Sequence, residues 1–125
     1  MKFVRQRGEK ESSAADLRRS KRFSAVLEVV VVPLNEQLRP SDLPFRAVTR
    51  DVSTRGLCLV HTRPAPSKKL FVEIDRPGEA PLDVVLNVRR NRRAGQFFEI
   101  AGDLMPVDAS VLAAAKARFT SHGVT

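Results

Sequence analysis

A chain of 125 residues, 42% of them hydrophobic, is long enough for one core and too short for two, and its apolar content excludes wholesale disorder. A net charge of +8 favours anionic partners such as nucleic acid, anionic lipid or a phosphorylated small molecule, or simply serves solubility. The single cysteine, Cys58, excludes an internal disulfide framework and a Cys-based zinc site, and fits a reducing cytoplasm.

Residues 1–22 are polar, with eight basic residues against three acidic ones and little apolar material to bury. The first sixteen are expected to form a basic, flexible arm, 17–121 the folded domain, and 122–125 a short tail. No apolar h-region of a signal peptide appears in this stretch. The longest apolar run, Val29 to Leu34, is far too short to span a bilayer, so no membrane insertion and a cytoplasmic location are expected.

Strand signals begin at Phe23. Phe23, Ala25, Leu27, Val29 and Val31 alternate on one face, β-branched residues dominate, and Pro33 is expected to end the run. Pro33, Pro40 and Pro44 then mark a loop. A second strand spans Phe45 to Val52 and leads into the turn Asp51-Val52-Ser53-Thr54-Arg55-Gly56. A third spans Leu57 to His61. Leu70, Val72 and Ile74 alternate as a fourth strand, and Leu82, Val84, Leu86 and Val88 as a fifth. Arg92-Arg93-Ala94-Gly95 reads as a turn and Gln96 to Ala101 as a sixth strand. Beyond Pro106 the period changes: Asp108 is a helix cap, Val111, Leu112, Ala115 and Phe119 recur at helical spacing, and Gly123 is a stop. The expected fold is mainly β, a six-stranded antiparallel barrel with a C-terminal α-helix packed on it.

Two short motifs carry chemistry. Arg18-Arg19-Ser20-Lys21-Arg22 contains RxxxR, and Asp51 to Gly56 reads DxSxxG. In a chain with sixteen Arg, composition alone gives about two RxxxR matches. Three occur: Arg18/Arg22, Arg46/Arg50 and Arg89/Arg93. DxSxxG is sharper, with about 0.03 matches expected at average residue frequencies. Taken alone, the arginine pair reads as a solvated basic linker and the hexapeptide as a hairpin turn. Taken together the register decides, because only Arg18/Arg22 stands directly before the first strand, and DxSxxG stands after the second.

In this order and placement the motifs resemble the signature of the PilZ family, over residues 17–120. The resemblance implies a six-stranded barrel with a helical extension that binds the second messenger cyclic di-GMP. It assigns ligand contacts to Arg18, Arg22, Asp51, Ser53 and Gly56, with Arg19, Lys21 and Arg55 as auxiliary cations. Leu17, apolar and directly before the first arginine, resembles members that take one ligand rather than a stacked pair. The residue chemistry agrees. Guanidinium groups donate bidentately to guanine O6 and N7 or to phosphate, a carboxylate accepts from the guanine N1–H and N2–H₂ edge, and glycine lets backbone come close. The expected action is that of a receptor or adaptor: the ligand changes the arm, and a separate partner protein receives the signal.

Other classes fit less well. His61 and His122 have no nucleophile or ligand partner at motif spacing, Cys58 lies in an apolar run that suggests an inert thiol, and no Gly-rich phosphate loop occurs, so no enzymatic activity, metal or cofactor is expected. A basic barrel holding single-stranded nucleic acid would use Arg89-Arg90-Asn91-Arg92-Arg93 as a phosphate-facing patch. Against it, Tyr and Trp are absent and most Phe occupy core-type positions, leaving no stacking platform. The plainer account of that patch is a solvated hairpin end. An adaptor of the same family that has lost its nucleotide would be expected to lack one or both motifs, and this chain keeps both.

Overall fold

The computed structural model describes residues 22–23 and 26–121, with side chains from 26 to 120; the expected arm, with Leu17, Arg18, Arg19 and Lys21, and the stop at Gly123 lie outside the described residues. In chain order the elements are β1 (Arg22–Phe23), β2 (Glu28–Leu34), β3 (Phe45–Ser53), β4 (Gly56–His61), β5 (Lys69–Ile74), β6 (Leu82–Ala94), β7 (Phe97–Met105) and α1 (Ala109–Ser121). All ladders are antiparallel. The sequence of pairings β3-β2-β5-β6-β7-β4 returns to β3 through the β3–β4 ladder, which closes a six-stranded barrel and leaves these strands no long open edge.

Alternation fills the interior. Val29, Val31, Leu70, Val72, Ile74, Leu86, Leu59 and Ile100 form one buried cluster. Val32, Leu34, Phe71 and Val85 form a second cluster with Ala115, so they lie on the outer face beneath α1. That double coverage explains the unbroken apolar run of β2, where both faces are buried. Removing each such Val, Leu or Phe from water contributes about 1.5–3 kcal/mol.

Three boundaries differ from the sequence reading. The first expected strand is divided, with Phe23 in β1 and the long ladder starting at Glu28. Pro33 does not end β2. The β2–β3 ladder stops at Val31, so Pro33 has a strand neighbour on the β5 side alone, a position where its missing N–H costs no ladder bond. Its carbonyl accepts from Ser41 N at 2.9 Å. The third difference is the β6–β7 hairpin. Arg92 to Ala94 are strand rather than turn, and the reversal is the pair Gly95-Gln96 between Ala94 and Phe97, with Gly95 at φ 67°, as a two-residue hairpin turn requires.

The helix is fixed to the barrel by charge as well as by its apolar stripe. Glu73 and Asp83 are directly opposite across β5 and β6, a like-charge pair that destabilises a ladder. Lys116 of α1 lies 3.1 Å from a carboxylate oxygen of each. The hydrogen bonds to Glu73 and then Asp83 raise its pKa above the ordinary lysine value. A raised lysine pKa means that the contribution is complete below the unfolded-chain value and fades as pH climbs through the folded value. Because the Lys116 side chain is 41% exposed, screening keeps the network to about 1 kcal/mol. Lys116→Met is therefore expected to lower stability in urea denaturation by about that amount at neutral pH, and the difference from wild type should shrink in strongly alkaline buffer.

Candidate functional site

Two β-bulges shape the outer face opposite the one that α1 covers. On β3 the inward positions run Phe45, Ala47, Thr49. Strict alternation would then turn Asp51 inward. The register instead shifts between Thr49 and Asp51, which pairs Asp51 with Cys58 and leaves Arg50 as the extra residue. Val52 now packs against the interior cluster, and Asp51 joins the lining of an outer cleft of about 390 Å³. On β6 the inward positions are Val84, Leu86 and Val88. A second shift, between Val88 and Arg90, makes Arg89 the extra residue and turns Arg90 and Arg92 into the same cleft. Bulges re-aim side chains in this way without interrupting the sheet.

A row of paired residues crosses the cleft: Asp51 on β3, Cys58 on β4, Ala101 on β7 and Arg90 on β6. Its middle members are small, which makes the floor, and its end members are charged, which makes the walls. At about 4.8 Å per strand the row is about 14 Å wide. Burial first, and then the Asp51 carboxylate, push the Cys58 thiol pKa up, so it is a neutral part of the floor.

The DxSxxG turn is held by its own serine. Ser53 Oγ accepts from the backbone N–H of Gly56 at 3.0 Å and of Arg55 at 3.3 Å, and lies 3.3 Å from the Gly56 carbonyl, to which it donates. The Arg55 carbonyl accepts from Leu104 N at 2.8 Å, which fastens the turn to β7. Ser53 thus shapes the loop, and Asp51, Ser53, Arg55 and Gly56 all line the cleft. Gly56 is glycine for a reason the sequence does not reveal. Positive φ at glycine occurs, among the described residues, at Gly78 and Gly95, not here. A Cβ on Gly56 would instead meet the Gly102 carbonyl oxygen at 2.7 Å.

The first motif enters through β1. Arg22 pairs with Ser53 and Phe23 with Val52, so the backbone of the last RxxxR arginine runs beside the DxSxxG serine. Thr49 secures the chain just beyond: its Oγ1 accepts from Leu27 N at 2.9 Å, and its own N–H donates to Leu27 O at 2.8 Å.

A family model for the PilZ domain matches residues 16–111. The chain belongs to the PilZ family. A solved structure, that of the Bacillus subtilis inhibitor of motility MotI/DgrA, is similar at 18% identity with a TM-score of 0.54, over 84% of this chain and 51% of that one. The chain thus spans about half the length of that protein, and at this identity the likeness speaks for the fold alone. A search of curated proteins gives no match. PilZ domains are binding and adaptor domains, and among the described residues no helix is long and apolar enough to cross a membrane.

Sequence reasoning missed part of this PilZ domain's cleft. Arg50, Arg90, Arg92 and Glu99 line it, although Arg89 to Arg93 read as a solvated hairpin end. The neglected signal is a phase error: Arg90 stands where the alternation of Val84, Leu86 and Val88 calls for another apolar residue. His61, at the end of β4, stacks on Phe45 at 4.5 Å between centroids and takes no part in the cleft lining.

The two facing glycines order a pair of substitutions. A Cβ on Gly102 would come within 2.0 Å of the Asn87 carbonyl oxygen and 2.9 Å of Val88 Cα, both backbone atoms at the β6 bulge. Gly102→Ala should destabilise by about 3 kcal/mol or more and Gly56→Ala by about 1–3 kcal/mol. Thermal denaturation checks the order; equal midpoints for both variants and wild type would contradict the close approach.

Proposed function

We propose that this PilZ domain is a cytoplasmic receptor for cyclic di-GMP that signals through a separate protein. The ligand bridges Arg18 and Arg22 of the N-terminal arm to Asp51, Ser53 and Gly56, with Arg19, Lys21 and Arg55 as auxiliary cations. The observation that carries the reading is the backbone pairing of Arg22 with Ser53 beside a cleft lined by Asp51, Ser53 and Gly56. A ligand in that cleft lies within reach of both motifs at once. Asp51 accepts from the guanine N1–H and N2–H₂ edge, and the arm guanidinium groups donate to guanine or phosphate. Contacts made only when arm and barrel come together supply the free-energy difference that a ligand-driven change requires. The target is a protein, in keeping with the family's adaptor character; the structurally similar MotI/DgrA is an inhibitor of motility. Leu17 directs the site to one ligand per chain.

Isothermal titration of the folded protein with cyclic di-GMP tests this. The expected result is saturable binding near one ligand per chain, weakened by about 2 kcal/mol or more in Arg22→Ala and in Asp51→Ala, with no competition from a single-stranded oligonucleotide. Absence of binding, or binding indifferent to both substitutions, would overturn the reading. Hydrogen exchange tests the arm separately: amides in residues 12–22 should slow when the ligand is added, and unchanged exchange would remove the ordering step.

A further inference from the structure

The β6 side of the cleft is built as carefully as the motif side. Glu99 is buried, its side chain 7% exposed, and Arg50 Nη1 and Arg92 Nη2 both bond to its carboxylate, the latter at 2.5 Å. The two arginines come from opposite walls, β3 and β6, yet their side chains remain 56% and 59% exposed. One buried carboxylate thus holds two guanidinium groups while leaving their outer donors to the cleft. Four arginines and three carboxylates line the space, and Arg89, outside the lining, binds one of the three, Asp103, at 2.8 Å. Cation therefore exceeds carboxylate by two. The side chain of Arg90, exposed at the end of the row that begins with Asp51, takes no hydrogen-bond or ion-pair partner among the described residues. Its backbone is set by the bulge that Gly102 permits.

We infer that β6 forms a second wall of the ligand site, on which Arg90 contacts a phosphodiester of the bound dinucleotide, while Glu99 positions Arg50 and Arg92. The inference rests on the cyclic di-GMP reading for the identity of the ligand. A dinucleotide with two phosphodiesters carries two negative charges, the complement of the cationic excess around the cleft once Arg89 offsets Asp103. With Asp51 taking a guanine edge at one end of the floor, a planar base lies over Cys58 and Ala101, and the sugar-phosphate reaches Arg90 at the other.

The test titrates cyclic di-GMP into wild type, Asp51→Ala, Arg90→Ala, Arg90→Lys, Arg92→Ala, Glu99→Gln and the Arg92→Ala/Glu99→Gln double variant, each at several salt concentrations. Arg90 is exposed, so its substitution leaves folding intact. Arg90→Ala should weaken binding at least about tenfold and make the fall of affinity with salt shallower. Arg90→Lys should restore the salt dependence but not the full affinity, since lysine is a point charge without the bidentate fork. Glu99→Gln should weaken binding on its own, and the double variant should lose less than the sum of the two single effects, the remainder being the release of Arg50, which is the signature of residues acting as one unit. A merely structural Glu99 would lower the unfolding midpoint and leave the Kd of the folded protein where it was, overturning its positioning role. If Asp51→Ala loses affinity but Arg90→Ala stays within about twofold of wild type, the second wall is overturned and the receptor reading stands. If wild type takes up no ligand, the receptor reading falls and the second wall with it.

Discussion

In a closed barrel whose interior is filled by alternating apolar side chains, the phase of each strand is fixed by its core residues. Asp51, Arg90 and Arg92 all fall in the inward phase of their strands, where an unpaired charge would be severely destabilising. The two bulges, with Arg50 and Arg89 as their extra residues, move the three outward together. The β6 bulge in turn requires the bare Cα of Gly102 against Asn87 and Val88, and the turn that follows Asp51 requires that of Gly56 against Gly102. The cleft, its small-residue floor and its charged walls all follow from that local change of register, which makes Gly102 as consequential for the site as any residue that faces a ligand.

Charge placement around the cleft follows from the same geometry. Glu99 is outward in β7, paired with Val60 on one side and Arg92 on the other, and is buried because the two arginines close over it. A lone carboxylate at that depth would be costly, whereas one with two guanidinium partners has its lone pairs satisfied and its charge compensated. The compensation is asymmetric, with two cations for one anion, so the surface above it stays positive. Cys58 fits the same logic, since an uncharged, protonated thiol leaves the floor neutral between the Asp51 wall and the Arg90 wall.

Much of this was legible in the sequence. The core strands were plain because Val29 and Val31, Leu70, Val72 and Ile74, and Leu86 obey a period of two, and α1 because Val111, Leu112, Ala115 and Phe119 obey a longer one. Asp51, Ser53 and Gly56 were named from their motif, and they share one cleft. The polar half of the β6–β7 hairpin was not legible. It is held by its ladder, by Arg92 with Glu99 and by Arg89 with Asp103, interactions that leave no apolar alternation to read. The bulges escaped for a related reason. On β6 a slip of one residue looks, in sequence, like the end of a strand, and that is how Val88 was read; on β3 the expected strand ran through the slip to Val52 without marking it. The close approach to Gly102 that calls for glycine at Gly56 was not legible either, because a contact between two strands leaves no local signature.

The barrel's outer surface is thereby divided in two, and β6 belongs to both parts. Its Val85 is buried under α1 with Phe71 and Leu34, and beyond the bulge its Arg90 and Arg92 face the cleft. The side of the barrel that would otherwise expose apolar residues is covered by the helix, and Lys116 ties that cover to Glu73 and Asp83 across the β5–β6 ladder. The uncovered side carries polar and small residues, which need no cover. The cleft at Arg90 and the helix at Val85 thus share one continuous strand, whose pairing with β7 joins Gly102 and, through Leu104, the DxSxxG turn to the same ladder. At the cleft the shortest ladder is that of β1, whose two residues Arg22 and Phe23 pair with Ser53 and Val52.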